Sequence, residues 1–427
     1  MIQPLVYKFG GASIKDAAAI KNIVALVKKR WTNGLVLVVS AAGDTTDRLE
    51  HLIELAFQQK SFDKELIQLL DYHEDICRGL FHPGHGIFAR VDNHFAQLRR
   101  TLENLSIKDD EGFFYDQVIG YGELISTRIV QEYLCESGCA CLWQDARELV
   151  RTDSQTKMAK VDWALTMQYC RRALFPKLEK FPVVTQGFIG TDLLGNTTTL
   201  GREGSDFTAA IMGVSLGASS VTIWKDVAGI LNGDPDIFPE AVKFEYLDFE
   251  EAAEMTYYGA KVIHPKTIKP LAKHGIPLYV KSFVNPDAAG TVIGSFGQAP
   301  RIPITIFKSK LTLIELRILD LSMIGGFHFE LIYEVAKRMN WRIQLMQASA
   351  AHISILINDM PYTAEQLAKP LREIFKVKSK SGLKMITVKN PTDAERSHYR
   401  QVAEKLYLEQ NGPELIQWVY EESVPNA

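Results

Sequence analysis

Leu35-Val36-Leu37-Val38-Val39 is five apolar residues in succession, bounded by Gly34 and Ser40. A strand with one wet face alternates polar and apolar side chains. A strand apolar at every position has both faces covered, which calls for a parallel sheet between helices. Leu5-Val6-Tyr7-Lys8-Phe9 is a second short strand. It runs into Gly10-Gly11-Ala12-Ser13 and then a helix, in which Ala17, Ile20, Ile23, Val24 and Val27 recur at helical spacing and Ser13 is placed to cap the start. Small and hydroxylated residues also follow the apolar strand, in Ser40-Ala41-Ala42-Gly43-Asp44-Thr45-Thr46. Open α/β sheets hold ligands at this carboxyl edge of their strands.

A third junction of the same kind is Thr197-Thr198-Thr199-Leu200-Gly201-Arg202-Glu203-Gly204-Ser205-Asp206, which leads directly into an apolar helix. Backbone N–H groups at a helix start, with small residues that admit close approach, hold anions. Arg202 adds a planar fork suited to a carboxylate or phosphate. Asp206 has two readings, a helix cap or a partner that orients a cationic side chain. Neither G-x-x-x-x-G-K-[ST] nor G-x-G-x-x-G occurs, so this is no P-loop and no dinucleotide fingerprint.

Further strands are expected near 139–144, 182–185, 220–224 and 277–281, alternating with helices near 163–175, 206–216 and 250–258. The expected fold class is therefore α/β, a mostly parallel sheet sandwiched by helices. Residues 58–115 read as a helical insertion suited to a lid or substrate-side lobe, with a soft connection at 106–112. The Asn-, Pro- and Gly-rich stretch 285–297 reads as a linker. Beyond it, strand 311–319, helix 327–339, strands 342–347 and 352–357, helix 364–375 and strand 383–388 follow the ferredoxin-like α+β order. A helix over 393–409 and a strand over 415–420 complete the chain, giving expected domains 1–297 and 298–427.

The 427 residues, 46% hydrophobic, suffice for about two to four domains. A net charge of −3 with no basic block argues against a nucleic-acid partner. No apolar run approaches the ~18–20 residues of a membrane span. The chain enters a strand at once without a charged, apolar leader, so a cytoplasmic location is expected. Cys77, Cys135, Cys139, Cys141 and Cys170 lack the spacing of a metal or disulfide framework and read as core thiols.

Several of these segments carry a resemblance. Lys8-Phe9-Gly10-Gly11-Ala12-Ser13, Val39 to Asp47, Thr185-Gln186-Gly187-Phe188-Ile189-Gly190, residues 197–206, Trp224-Lys225-Asp226-Val227 and Gly259-Ala260-Lys261-Val262-Ile263-His264-Pro265 occur in this order. Together, over roughly residues 5–295, they resemble the aspartate kinases of the amino-acid kinase superfamily. The later region is similar to the ACT amino-acid-sensing domains that follow such kinases, with one complete module and a second, abbreviated one.

The resemblance implies transfer of the γ-phosphoryl group of ATP, with Mg²⁺, to the β-carboxylate of L-aspartate. The product would be 4-phospho-L-aspartate, at the first step of lysine, threonine and methionine biosynthesis. A carboxylate nucleophile is already ionised and needs no general base. The obstacle is repulsion between anions, so positioning and fixed positive charge must do the catalysis. By this analogy Lys8 stabilises the transferring group, and Asp206 aligns Lys8. Gly10, Gly11, Ser13, Lys225, Asp226 and Lys261 serve the nucleotide. Arg202 clamps a substrate carboxylate and Glu123 pairs with its ammonium, while Ser40, Thr46, Ser205 and Phe188 line the pocket. Mg²⁺ would lean on the phosphates, with no dedicated protein ligand. The analogy also implies lysine or threonine as an effector and a homodimer or larger homo-oligomer.

The chain departs from the family pattern at four places. Ala12 replaces a threonine, Glu203 a glycine, Asp236 an arginine, and Ala350 stands where an acidic residue often follows Ser349. Two alternatives therefore stand beside a working aspartate kinase: a related carboxylate kinase of altered specificity, and a non-catalytic amino-acid-binding regulator. Two expectations follow from this picture. Lys8→Ala should abolish most turnover with little change in stability, and Glu203→Gly should lower the KM for aspartate.

Overall fold

The first two strands, β1 (Leu5–Phe9) and β2 (Leu35–Val39), lie parallel, with Phe9 opposite Val39. The structure is a computed structural model that describes residues 2–104, 110–260, 263–297, 302–320, 322–358, 371–402 and 405–421. Between the two strands, a 3₁₀ turn (Gly11–Ile14) leads to α1 (Ala17–Lys29). Asp16, not Ser13, caps α1: its carboxylate accepts the Ala19 N–H at 2.7 Å. The Ser13 hydroxyl instead donates to the Gly10 carbonyl at 2.6 Å and closes the turn.

Five helices follow: α2 (Thr45–Phe57), α3 (Asp63–Leu80), α4 (Ile87–Glu103), α5 (Glu111–Ile119) and α6 (Tyr121–Glu136). Then come β3 (Leu142–Gln144), α7 (Trp163–Leu178), β4 (Val183–Gln186) and a hairpin of β5 (Ile189–Thr191) and β6 (Thr197–Thr199). The apolar helix α8 (Gly204–Leu216) precedes β7 (Ser220–Lys225), β8 (Tyr246–Asp248), α9 (Phe249–Tyr258), α10 (Pro265–His274), β9 (Leu278–Ser282) and β10 (Thr291–Gly294).

The main sheet has the order β3-β4-β2-β1-β7-β9-β10-β8 and is parallel except between β9 and β10. From β1 the strands run outward through β2 on one side and β7 on the other. The order thus reverses beside β1, which opens a crevice at the carboxyl ends of these strands. One face is covered by apolar side chains from α1 to α6, against Phe9, Leu37, Val39 and Trp224. On the other, α8 packs against β1, β2 and β7. All of its residues except Phe207 are buried, which is why it reads apolar all round.

The chain divides into two compact units. One comprises Met1–Ile230, Lys243–Ala253 and Val262–Ala299, and the other Leu231–Val242, Glu254–Lys261 and Pro300–Ala427. The second unit holds β11 (Ile304–Ile318), α11 (Gly326–Arg338), β12 (Ile343–Ala348), β13 (His352–Asn358), β14 (Phe375–Lys389), a helix over Asp393–Val402, β15 (Lys405–Asn411) and β16 (Leu415–Glu421). Its single antiparallel sheet has the order β12-β13-β11-β14-β16-β15. The protein is thus of mixed α/β class, with a parallel-dominated sheet and a separate antiparallel one.

Three sequence expectations are corrected. The supposed linker 285–297 contains β10, a four-residue strand too short for a periodic signal. The helix expected over 393–409 ends at Val402. Residues 405–411 pair with β16 although Leu, Glu and Lys are good helix formers, so the hairpin overrides local propensity. Phe375, the expected end of a helix, begins β14, and the earlier part of that helix falls mainly on 359–370, outside the described residues.

Candidate active site

Three loops meet at the crevice beside β1. The turn after β1 lies against the loop after β2: Ser40 donates its N–H to the Phe9 carbonyl at 3.1 Å, and Gly43 donates to the Gly11 carbonyl at 3.2 Å. A side chain at Gly11 would sit 2.9 Å from both the Ala41 and Gly43 carbonyl oxygens, so only glycine lets these backbones approach. The third loop opens α8. Glu203 occupies its N-cap in the left-handed region (φ 54°) and gives no side-chain cap, so Asp206 lies in the first turn and is free for another task.

That task is Lys8. Its Nζ lies 2.6 Å from Asp206 Oδ1, with 12% and 5% of the two side chains exposed. The two readings of Asp206 are thereby resolved in favour of an ion pair across 198 residues of sequence, from strand end to helix start.

Glu123, in the first turn of α6, is buried. Its Oε1 accepts the Ala41 N–H at 3.2 Å, and its Oε2 has no partner among the described residues. Burial pushes its carboxyl up to about 8, against the lowering effects of that amide and of the Lys8 charge. Next along α6, Ser126 donates to the Ser40 carbonyl at 2.6 Å and Thr127 to the Glu123 carbonyl at 2.7 Å, so the helix is tied to the β2 loop.

Phe188 adopts φ 70°, a rare conformation for an aromatic residue. It is held there from both sides: its N–H donates to Thr208 Oγ1, and its carbonyl accepts the Leu200 N–H, each at 2.9 Å. Backbone held off its preferred region by surrounding bonds is a feature of ligand sites. A side chain on neighbouring Gly187 would strike Ser205 at 2.4 Å, which explains the glycine before it.

These groups surround one cleft of about 700 Å³. Lys8, Gly11, Ser40, Thr46, Glu123, Phe188, Arg202, Ser205, Asp206 and Lys225 all line it, drawn from stretches between residues 8 and 225. Arg202 is exposed and makes no ion pair among the described residues, so its guanidinium is available to an anion. Gly10 and Ser13 shape the turn without lining the cleft. A side chain on Gly10 would sit 3.3 Å from Lys8 Nζ. Asp226 is exposed at the end of β7 and does not line the cleft, and Lys261 lies outside the described residues.

Four lining residues lie outside every motif singled out in the sequence: Glu50, Tyr115, Lys157 and Met158. Tyr115 donates to Glu50 at 3.0 Å, and Lys157 pairs with Glu111 at 3.0 Å. Glu50 stands four residues after Thr46 on α2, so helical spacing alone places the two on one face.

Glu203 keeps its carboxylate on the cleft wall while Oε2 accepts the His264 N–H, at the cap of α10, at 2.9 Å. The charge is engaged but still near Arg202. Glu203→Gly is therefore expected to lower the KM for aspartate a few-fold. Its stability should change little, because relief of the left-handed backbone offsets the lost hydrogen bond, each about 1 kcal/mol. Steady-state kinetics at fixed nucleotide, with a thermal melt, checks both; a higher KM would mean the His264 contact shapes the pocket.

No group of three ligating side chains forms a metal cage among the described residues. The carboxylates on the cleft wall have other roles: Asp206 holds Lys8, Glu50 accepts Tyr115, and Glu203 accepts the His264 amide. No helix among the described residues is long and apolar enough to cross a membrane.

The profile of the Amino acid kinase family matches residues 3–282. Lysine-sensitive aspartokinase 3 of Escherichia coli K12 is 30% identical over 402 residues, covering 91% of this chain and 87% of the relative. Chloroplastic aspartokinase 2 of Arabidopsis thaliana is 30% identical over 377 residues, covering 86% and 69%. The crystal structure of E. coli aspartokinase III in complex with aspartate and ADP (R-state) superposes with a TM-score of 0.82 at 27% identity, covering 98% of this chain and 96% of that one. With the family profile matched over residues 3–282 and 30% identity to Lysine-sensitive aspartokinase 3 across most of both chains, the chain belongs to the amino acid kinase family and, within it, to the aspartokinases.

Proposed function

We infer that this cleft phosphorylates L-aspartate on its β-carboxylate with ATP as donor. The carrying observation is the joint presence in one cleft of a fixed Lys8–Asp206 pair and a buried Glu123 oxygen without a partner. The first suits a group that becomes more negative during reaction. The second suits a cation, because an orphan buried carboxylate oxygen is costly until an ammonium reaches it.

The substrate's ammonium pairs with Glu123 Oε2, and Arg202 takes a carboxylate. The β-carboxylate is then directed toward the Gly11 turn and Lys8, where the γ-phosphate lies. Its oxygen attacks phosphorus as the bond to ADP breaks, with no proton removed. Lys8 Nζ, held by Asp206, faces the charge gathering on the transferring oxygens, and the amides of the Gly11 turn add fixed dipoles. Lys225, on the cleft wall, would face the nucleotide, with Gly10 and Ser13 shaping the turn beside it; nucleotide roles for Asp226 and Lys261 rest on the motif resemblance. Mg²⁺ would arrive with the nucleotide on its phosphates and would screen their charge there.

Residues 298–427 are proposed to form an ACT regulatory region, one complete module and an abbreviated second, that works in a homodimer or larger homo-oligomer. Lysine is the first effector to test, since the chain is similar to the crystal structure of E. coli aspartokinase III in complex with lysine and aspartate (T-state), at TM-score 0.80 and 27% identity. Threonine is the second.

An ADP-release assay with the full chain tests the reading. ADP release that needs both Mg²⁺ and L-aspartate supports it. Release only with another acid, or tight amino-acid binding with no release, overturns it.

A further inference from the structure

Helices α4 and α6 pack together, and their residues Arg90, Asn93, His94 and Arg128 line a second cavity of about 430 Å³. It shares no lining residue with the main cleft. All four side chains carry hydrogen-bond donors, and none is a carboxylate.

Of two nearby acids, one pairs with a residue of the cavity lining and the other is engaged elsewhere. Glu132 pairs with Arg90. Asp145 is held by Arg147, through Nη2 at 2.7 Å and Nε at 3.0 Å. Arg128 makes no ion pair among the described residues. Its guanidinium carbon lies 3.4 Å from the centre of the Trp143 ring, a cation–π contact that holds the group in place. His94 Nδ1 is buried and has no hydrogen-bond partner among the described residues. Burial, with the charges of Arg128 and Arg147, pushes the imidazole down to about 4, so the ring is neutral at physiological pH. A buried, unsatisfied ring nitrogen beside an unpaired guanidinium calls for a ligand.

We propose that this cavity binds a small phosphate group, free or carried on a metabolite, with Arg128 as anchor and Arg90, Asn93 and His94 completing the donor set. One guanidinium fork satisfies a planar carboxylate. Four donor-bearing side chains from two helices suit a group with three or four acceptor oxygens.

The test follows the His94 ring resonances of the full-length protein by NMR during addition of inorganic phosphate, with chloride at matched ionic strength as control. Phosphate should shift them saturably and chloride should not. The His94 pKa should rise on binding, because a bound dianion favours the imidazolium. Arg128→Ala should weaken binding at least ~10-fold. Arg90→Ala, at a more exposed position away from the Trp143 contact, should weaken it less and serves if the first variant does not fold. A glucose 6-phosphate arm separates the sources: tighter binding than inorganic phosphate identifies a phosphorylated metabolite, and equal or weaker binding identifies free phosphate. Unchanged His94 signals, an equal response to chloride, tighter binding of succinate than of any phosphate, or arginine variants that bind like wild type would each overturn the proposal. Because His94 is outside the main cleft, this readout does not depend on the kinase reading.

Discussion

Lys8→Ala is expected to lower turnover at least ~100-fold, the loss that follows removal of a group acting on transition-state charge. The structure changes what accompanies it. From sequence alone the substitution looked neutral for stability, a lysine at a strand end being easily pictured as wet. Lys8 is instead the partner, at 2.6 Å, of an Asp206 carboxylate that is only 5% exposed. Removing one member of such a pair strands the other, which costs about 3 kcal/mol or more. Denaturant melts should therefore show Lys8→Ala clearly destabilised. The double variant Lys8→Met with Asp206→Asn should recover most of that stability while remaining inactive, because no buried charge is left unpaired. A single variant as stable as wild type would show that water solvates Asp206, and a double variant with restored turnover would remove Lys8 from the mechanism.

The second large effect concerns Glu123. Burial holds its carboxyl near 8, so at neutral pH the free protein keeps it mostly protonated. Pairing with an ammonium requires the ionised form, so aspartate binding at neutral pH should release a proton. Aspartate affinity should rise with pH until the free carboxyl has ionised, then level off. Calorimetry in two buffers of different ionisation enthalpy measures that proton directly. Glu123→Gln should raise the KM for aspartate at least ~100-fold, as expected for truncating one side of a desolvated charge pair, and should abolish the proton release.

The same shift has a consequence for folding. The folded pKa lies above the ordinary value of 4.5, so between about 4.5 and 8 the native state holds a proton that the unfolded chain has lost. Stability contributed by this site therefore falls as pH rises through that window. Glu123→Gln lacks this decline and should melt above wild type near pH 8. Wild-type-like melting at that pH would contradict the buried-carboxylate account.

Much of the site was legible because the chemistry of its loops is local. Glycine pairs, hydroxyls and Arg202 stand beside strand ends, and a sheet that reverses its order beside β1 must bring those ends together. The pairing of Lys8 with Asp206 was expected from the resemblance alone and was not legible in the residues themselves. Either end of it has a bland local explanation, and only the packing of α8 across β1 decides. Glu50, Tyr115, Lys157 and Met158 were missed for a related reason: they come from a helical insertion and a neighbouring loop whose sequences are ordinary for surfaces. The backbones of Phe188 and Glu203 lie in the left-handed region, which no residue type at those positions would announce. In the second unit, β15 went unseen because Lys405–Asn411 favours helix locally, and its partner β16 supplies the contrary vote.

The most direct test of charge neutralisation in a single cleft is chemical capture of the product. Full-length protein is incubated with MgATP, L-aspartate and hydroxylamine, and the hydroxamate is identified by mass spectrometry. An acyl phosphate reacts with hydroxylamine, so the account predicts the β-hydroxamate of aspartate in amounts matching the ADP formed, and none with Lys8→Ala. ADP with no hydroxamate, or a hydroxamate undiminished in Lys8→Ala, would contradict it.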